Sequence, residues 1–103
     1  MPPYKVSFDA IPWESPIPGV RHKVLEHDGQ KLRLVEYTQQ MAPHWCAVGH
    51  IGQILDGRFE IEFDNETHIF EAGDGVLIPQ GATHRHRARA LTEVVRAIFV
   101  EAV

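Results

Sequence analysis

The segment RFEIEF, residues 58–63, alternates without a break. Phe59, Ile61 and Phe63 fall on one side; Arg58, Glu60 and Glu62 fall on the other. A period of two is the pattern of a strand with one face buried and one wet. Turn residues bracket it, Asp56-Gly57 before and Asp64-Asn65 after. The same punctuation recurs along the chain. RHKVLEH and KLRLVEYT flank Asp28-Gly29, a two-residue hairpin signal, and Asp56-Gly57 is a second turn of that kind. AGDG leads into VLIP, and QGAT leads into HRHRARA. The last segment, LTEVVRAIFVEAV, also fits a helical face through Leu91, Val94, Val95, Ile98 and Phe99, but its Val, Ile and Phe favour strand. Short strands at roughly 8–12-residue spacing predict an all-β antiparallel sandwich or barrel.

At 103 residues the chain has room for one core and not two. Pro2, Pro3, Pro12, Pro16 and Pro18 crowd the first nineteen positions. Proline at that density blocks helix and favours extended, edge-lying chain. The expected division is therefore a proline-rich arm over 1–19 and a folded domain over 20–103. A formal charge of −4 argues against a nucleic-acid partner. One cysteine, Cys46, allows no intrachain disulfide and fits a reducing compartment. The N-terminus lacks a charged head followed by an apolar run, so no signal peptide is expected. No apolar stretch approaches about 18 residues, so no membrane span is expected. The default location is cytoplasmic.

The chemistry concentrates in PHWCAVGH. His44, Cys46 and His50 all stand at even positions, so on a strand their side chains share a face. Three nitrogen or sulfur donors on one face, with a fourth from elsewhere, make the raw material of a transition-metal site. His84 is the downstream candidate.

The spacing from His44 through Cys46 and His50 to Gly57 resembles the first motif of the cupin superfamily, whose slots hold His, His, Glu and Gly. Gly73, Pro79, Gly81 and His84 keep every spacing of the second motif. In this chain Cys46 takes the second His slot and His50 takes the Glu slot. The resemblance, over roughly residues 40–100, implies a single-domain jelly-roll barrel, the double-stranded β-helix. It further implies a metal held inside by motif residues: His44, His50 and His84, with Cys46 as a possible fourth ligand. One divalent transition metal per chain is the implied cofactor, zinc ahead of iron, nickel or manganese because a thiolate adds softness. Without the Glu, two-His-plus-carboxylate oxygenase chemistry is harder to build. Ligation needs neutral imidazole, so metal affinity should fall as pH drops toward about 6.5.

Other residues admit plainer readings. Cys46 is either a ligand, a redox-active thiol or a small buried hydrophobe. His86 shares parity with His84 and so should face inward; it reads as a pocket residue and the candidate proton carrier for substrate, ahead of a ligand, a donor orienting one, or packing alone. Gln53 reads as a solvent-facing amide. Arg85, Arg87 and Arg89 read as an outer strand face, and Asp74 as a turn residue. His22, His27 and His68 have no motif support and read as surface residues. Trp45, at odd parity, should point away from the interior. The expectation is a small metal-dependent enzyme acting on a small polar molecule in the barrel. The alternative is a binding or sensing module whose metal is structural. Jelly-roll sheet edges and the proline-rich arm make a homodimer plausible.

Overall fold

Alternation in sequence becomes alternation in burial. In the last strand Val95, Ala97, Phe99 and Glu101 are buried, while Val94, Arg96 and Val100 are exposed. The ambiguous C-terminal segment is thus a strand. The computed structural model describes residues 3–103. Pro2 of the expected arm lies outside them. Nine strands follow in order: β1 (Glu14–Ile17), β2 (Val20–His27), β3 (Gln30–Thr38), β4 (His50–Asp56), β5 (Arg58–Glu62), β6 (Thr67–Glu71), β7 (Gly75–Ile78), β8 (Arg87–Ala90) and β9 (Val94–Ala102). Two single 3-10 turns, Phe8–Ala10 and Ala82–His84, are the described helical residues.

The strands form a six-stranded sheet, β1-β2-β3-β9-β4-β7, and a three-stranded sheet, β6-β5-β8, all antiparallel. This is the all-β jelly roll that the sequence leads one to expect. Asp28 and Gly29 close the β2–β3 hairpin with positive φ at both positions, 52° and 77°, as a type I′ turn requires. Asp56-Gly57 turns the chain as expected but closes no hairpin. It carries the chain from β4 in the larger sheet to β5 in the smaller one. Gly57 sits at φ +84°, and a Cβ there would lie 2.3 Å from the Val94 carbonyl oxygen, so the corner needs glycine.

Val35, Ile54, Ile61, Val95 and Phe99 fill the space between the sheets, and Tyr37 stacks on Phe59 with ring centroids 4.5 Å apart. Side chains of this size contribute about 1.5–3 kcal/mol each on burial. The outer face of the small sheet is polar and paired. Arg85, Arg87 and Arg89 meet Asp64, Glu62 and Glu60 at 2.8, 2.9 and 2.9 Å. Trp45 lies outside under Arg85 and Arg87, whose guanidinium carbons stand 4.5 and 4.8 Å from its ring centroid. The arginine heads and Trp45 thus meet on the outer face, as their parity predicts, although Arg87 also lines the inner cavity. β1 is hydrogen-bonded to β2 at the edge of the large sheet. No helix among the described residues is long and apolar enough to cross a membrane.

Candidate metal centre

Three side chains converge between the sheets. One donor atom each from Cys46, His50 and His86 lies within 4.8 Å of the other two. His50 is the first residue of β4. Cys46 belongs to no strand; a single antiparallel bridge joins it to His86, with N–H···O distances of 2.8 and 2.9 Å in the two directions. The segment from His44 to His50 is therefore not one continuous strand. Its donors converge because the Cys46–His86 bridge and the start of β4 each fix one of them.

His84 and His86 separate. The 3-10 turn Ala82–His84 interrupts the alternation, and the extended run resumes only after it. A parity counted through His84 is therefore lost. His84 is exposed and lines a second, open cavity with Phe63, His68 and Pro79. His86 is buried and faces the donors. His44 is exposed but lines the same cavity as the three donors. Of the four ligands expected from sequence, the structure brings Cys46 and His50 together, leaves His44 at the cavity wall, and sets His84 apart.

Hydrogen bonds fix the ring tautomers. His86 Nδ1 lies 3.1 Å from the His84 carbonyl oxygen, which can only accept, so Nδ1 carries the hydrogen. The Nε2 lone pair is then free, and Nε2 is buried with no hydrogen-bond partner among the described residues. An unsatisfied buried nitrogen costs about 1–3 kcal/mol. A cation there would satisfy it. Burial also pushes the His86 ring below its ordinary 6.5, against the raising effect of the His84 carbonyl, and so favours the neutral form that ligates.

His50 Nδ1 donates to Glu101 Oε2 at 2.5 Å, which frees its Nε2 in turn. Glu101 is 5 % exposed. It also meets Arg33 Nη1 at 3.3 Å and, more loosely, Lys31 Nζ at 3.7 Å. Burial pushes its carboxyl up, but the His50 hydrogen bond and the Arg33 charge outweigh that and hold it below 4.5. The Val48 N–H donates to Cys46 Sγ at 3.5 Å. Two imidazoles and a thiol, each with its lone pair available, fit a soft or borderline divalent metal such as zinc.

The cavity around this cluster holds about 310 Å³. Phe59, Ile61 and Phe99 give it apolar walls. Tyr37 also lines it, and burial pushes its hydroxyl up to about 12, so it stays protonated. His22 corrects its surface reading. It is partly buried, lines the cavity and accepts from Arg33 Nε at 2.8 Å. His27 and His68 are exposed, and so is Gln53, whose amide reaches the Gly73 carbonyl at 3.0 Å. Asp74 accepts from the Glu71 N–H at 2.7 Å, within its turn. Glu101 and Arg33 are the residues that motif reading misses. For Glu101 a signal existed: it shares parity with Val95, Ala97 and Phe99, and a carboxylate on so apolar a face needs a partner.

Residues 31–101 match the model of the cupin domain. The structure of KdgF from a Halomonas species superposes with a TM-score of 0.74 at 24 % identity, over 91 % of this chain and 89 % of that one. The cupin domain of Schizosaccharomyces pombe Cnp3 gives 0.76 at 13 % identity, over 96 % and 73 %. The iron(II) form of HppE gives 0.75 at 12 % identity, over 93 % of this chain and 58 % of the other. No curated protein sequence matches. Motif spacing, jelly-roll topology and a family match over most of the chain agree: the protein belongs to the cupin family.

Proposed function

We propose that the protein is a small metal-dependent enzyme acting on a small polar molecule in the barrel cavity. Cys46, His50 and His86 hold one divalent transition metal, zinc by preference for the thiolate. The observation that carries this is the cluster of three donors within 4.8 Å, one of whose residues, His86, has a buried and unpartnered Nε2. Three protein donors leave a position open, as catalytic zinc sites do. A metal there supplies Lewis acidity to a bound oxygen. His44 then serves as the proton carrier. Its Nδ1 lies 3.2 Å from the Ala42 carbonyl, so Nε2 keeps a lone pair with which to act as a base. A reducing, cytoplasmic setting would keep Cys46 a thiol.

In the opposite assignment, His84 is a ligand, as the family motif implies, and His86 is the proton carrier, as its parity with His84 suggests. Metal analysis of His86→Ala and His84→Ala separates the two. We expect zinc to be lost from the first and kept at one per chain in the second. The reverse result would restore His84 to the ligand set. A binding module with a structural metal is the second reading, favoured if His44 closes the shell from the cavity wall. Cobalt-substituted protein decides: an open position changes the visible spectrum on adding azide, and a closed one does not. We also propose a homodimer through the outer face of the large sheet. Ile51, Leu77 and Val100 are neighbours there, 56, 76 and 40 % exposed. A monomer by light scattering would remove it.

A further inference from the structure

The same cavity has a wall of different chemistry. On β2 and β3 it carries His22, Lys31 and Arg33. Arg33 donates through Nε to His22 Nδ1 at 2.8 Å and through Nη1 to Glu101 Oε2 at 3.3 Å. A guanidinium has five N–H donors and no acceptor, so donors remain. His22 accepts at Nδ1, so its hydrogen is on Nε2 and that nitrogen is a donor too. Lys31 Nζ stands 3.7 Å from Glu101, too far for a hydrogen bond, and its N–H groups are not used there.

Acceptors are scarce by contrast. Glu101 is the one carboxylate among the described residues lining the cavity, and His50 and Arg33 already share it. Arg87 also lines the cavity but is bound bidentately to Glu62 at 2.9 and 3.3 Å. Glu14, the register partner of His22, is exposed and outside the lining. The wall thus sets two permanent cations against one carboxylate, in a chain whose net charge is −4. A local surplus of positive charge between low-dielectric walls concentrates anions.

We propose that the wall of Lys31, Arg33 and His22 binds the carboxylate of a small organic acid with an apolar body. The surplus is a single charge, which matches a carboxylate better than a phosphate dianion. Phe59, Ile61 and Phe99 supply the apolar surface for the rest. Glu101 couples the wall to the donor cluster, because one oxygen, Oε2, meets both Arg33 and His50. The proposal deepens the function given above and rests on this cavity being its ligand site.

The test is calorimetric titration of the full chain, metal-free and zinc-loaded, with benzoate, its neutral isostere benzamide, and inorganic phosphate. Benzoate should bind both forms, about tenfold tighter than either other probe. Lys31→Gln should weaken benzoate by about tenfold and leave benzamide unchanged. Benzamide or phosphate binding as tightly as benzoate to the unaltered chain would overturn the proposal. So would undiminished benzoate binding by Lys31→Gln. Zinc stoichiometry on the same samples separates the two readings. Zinc uptake without benzoate binding removes the anion wall alone, whereas benzoate binding by a chain that takes up no added zinc removes the metal alone.

Discussion

Glu36 and Glu101 lie on adjacent strands, β3 and β9, and are almost equally buried at 6 and 5 % exposure. Both are met by cationic side chains, yet they face opposite sides of the sheet. Outside, Glu36 accepts from Arg21 Nε at 2.8 Å and from Arg96 Nε and Nη2 at 3.0 and 2.5 Å. Its partners are about half exposed, and Arg21 leads on only to the Trp13 ring, 4.1 Å from its centroid. Inside, Glu101 accepts one bond from Arg33 and another from His50, which itself belongs to the donor cluster. The two carboxylates share burial and pairing. What distinguishes a structural ion pair from one tied to chemistry is what stands behind its partner.

The strongest way to break that contrast is metal content. Cys46→Ser should lose stoichiometric zinc by atomic absorption, while Glu36→Gln should keep it in full. Zinc retained by the first would detach the cluster from the metal. Next in size is affinity. Glu101→Gln should weaken zinc by about 10–100-fold in chelator competition, because His50 loses the partner that fixes its tautomer. An equal loss in Glu36→Gln would mean that the inner and outer carboxylates act alike.

Stability gives smaller effects. Glu36→Gln should cost about 1 kcal/mol in urea denaturation, since half-exposed arginines recover solvation once unpaired. The smallest effect is in acid. Burial pushes the Glu36 carboxyl up, but the bonds from Arg96 and Arg21 outweigh that and hold it below 4.5. With its folded value depressed, Glu36 contributes fully above 4.5 and loses that contribution as pH falls through the lower value. Glu36→Gln should therefore flatten the acid limb of the melting-temperature profile, and an unchanged limb would contradict the pairing.

Much of the fold was legible because its cues are local. RFEIEF needs only a period of two to declare a buried face, and Asp28-Gly29 needs only its own backbone to make a hairpin. Asp56-Gly57 has the same signature but turns a corner between sheets, since which strand pairs next is decided by distant residues. The site was half legible. Cys46 and His50 follow from spacing. That His86, and not His84, lies with them in the donor cluster does not, because parity survives only while the chain stays extended and the turn at Ala82–His84 resets it. Arg33 was hidden for another reason: Leu32 and Leu34 on the outer face are as apolar as Val35 and Tyr37 on the inner one.

The lone Cys46–His86 bridge also has a kinetic meaning. Its two N–H groups belong to no ladder, so no neighbouring rung must break before they open. Amide hydrogens of β3 and β9, held along nine paired positions, should exchange only through larger openings. Those of Cys46 and His86 should exchange through small ones, and they are the places where closing of the cavity by any bound ion or acid becomes visible as slowed exchange.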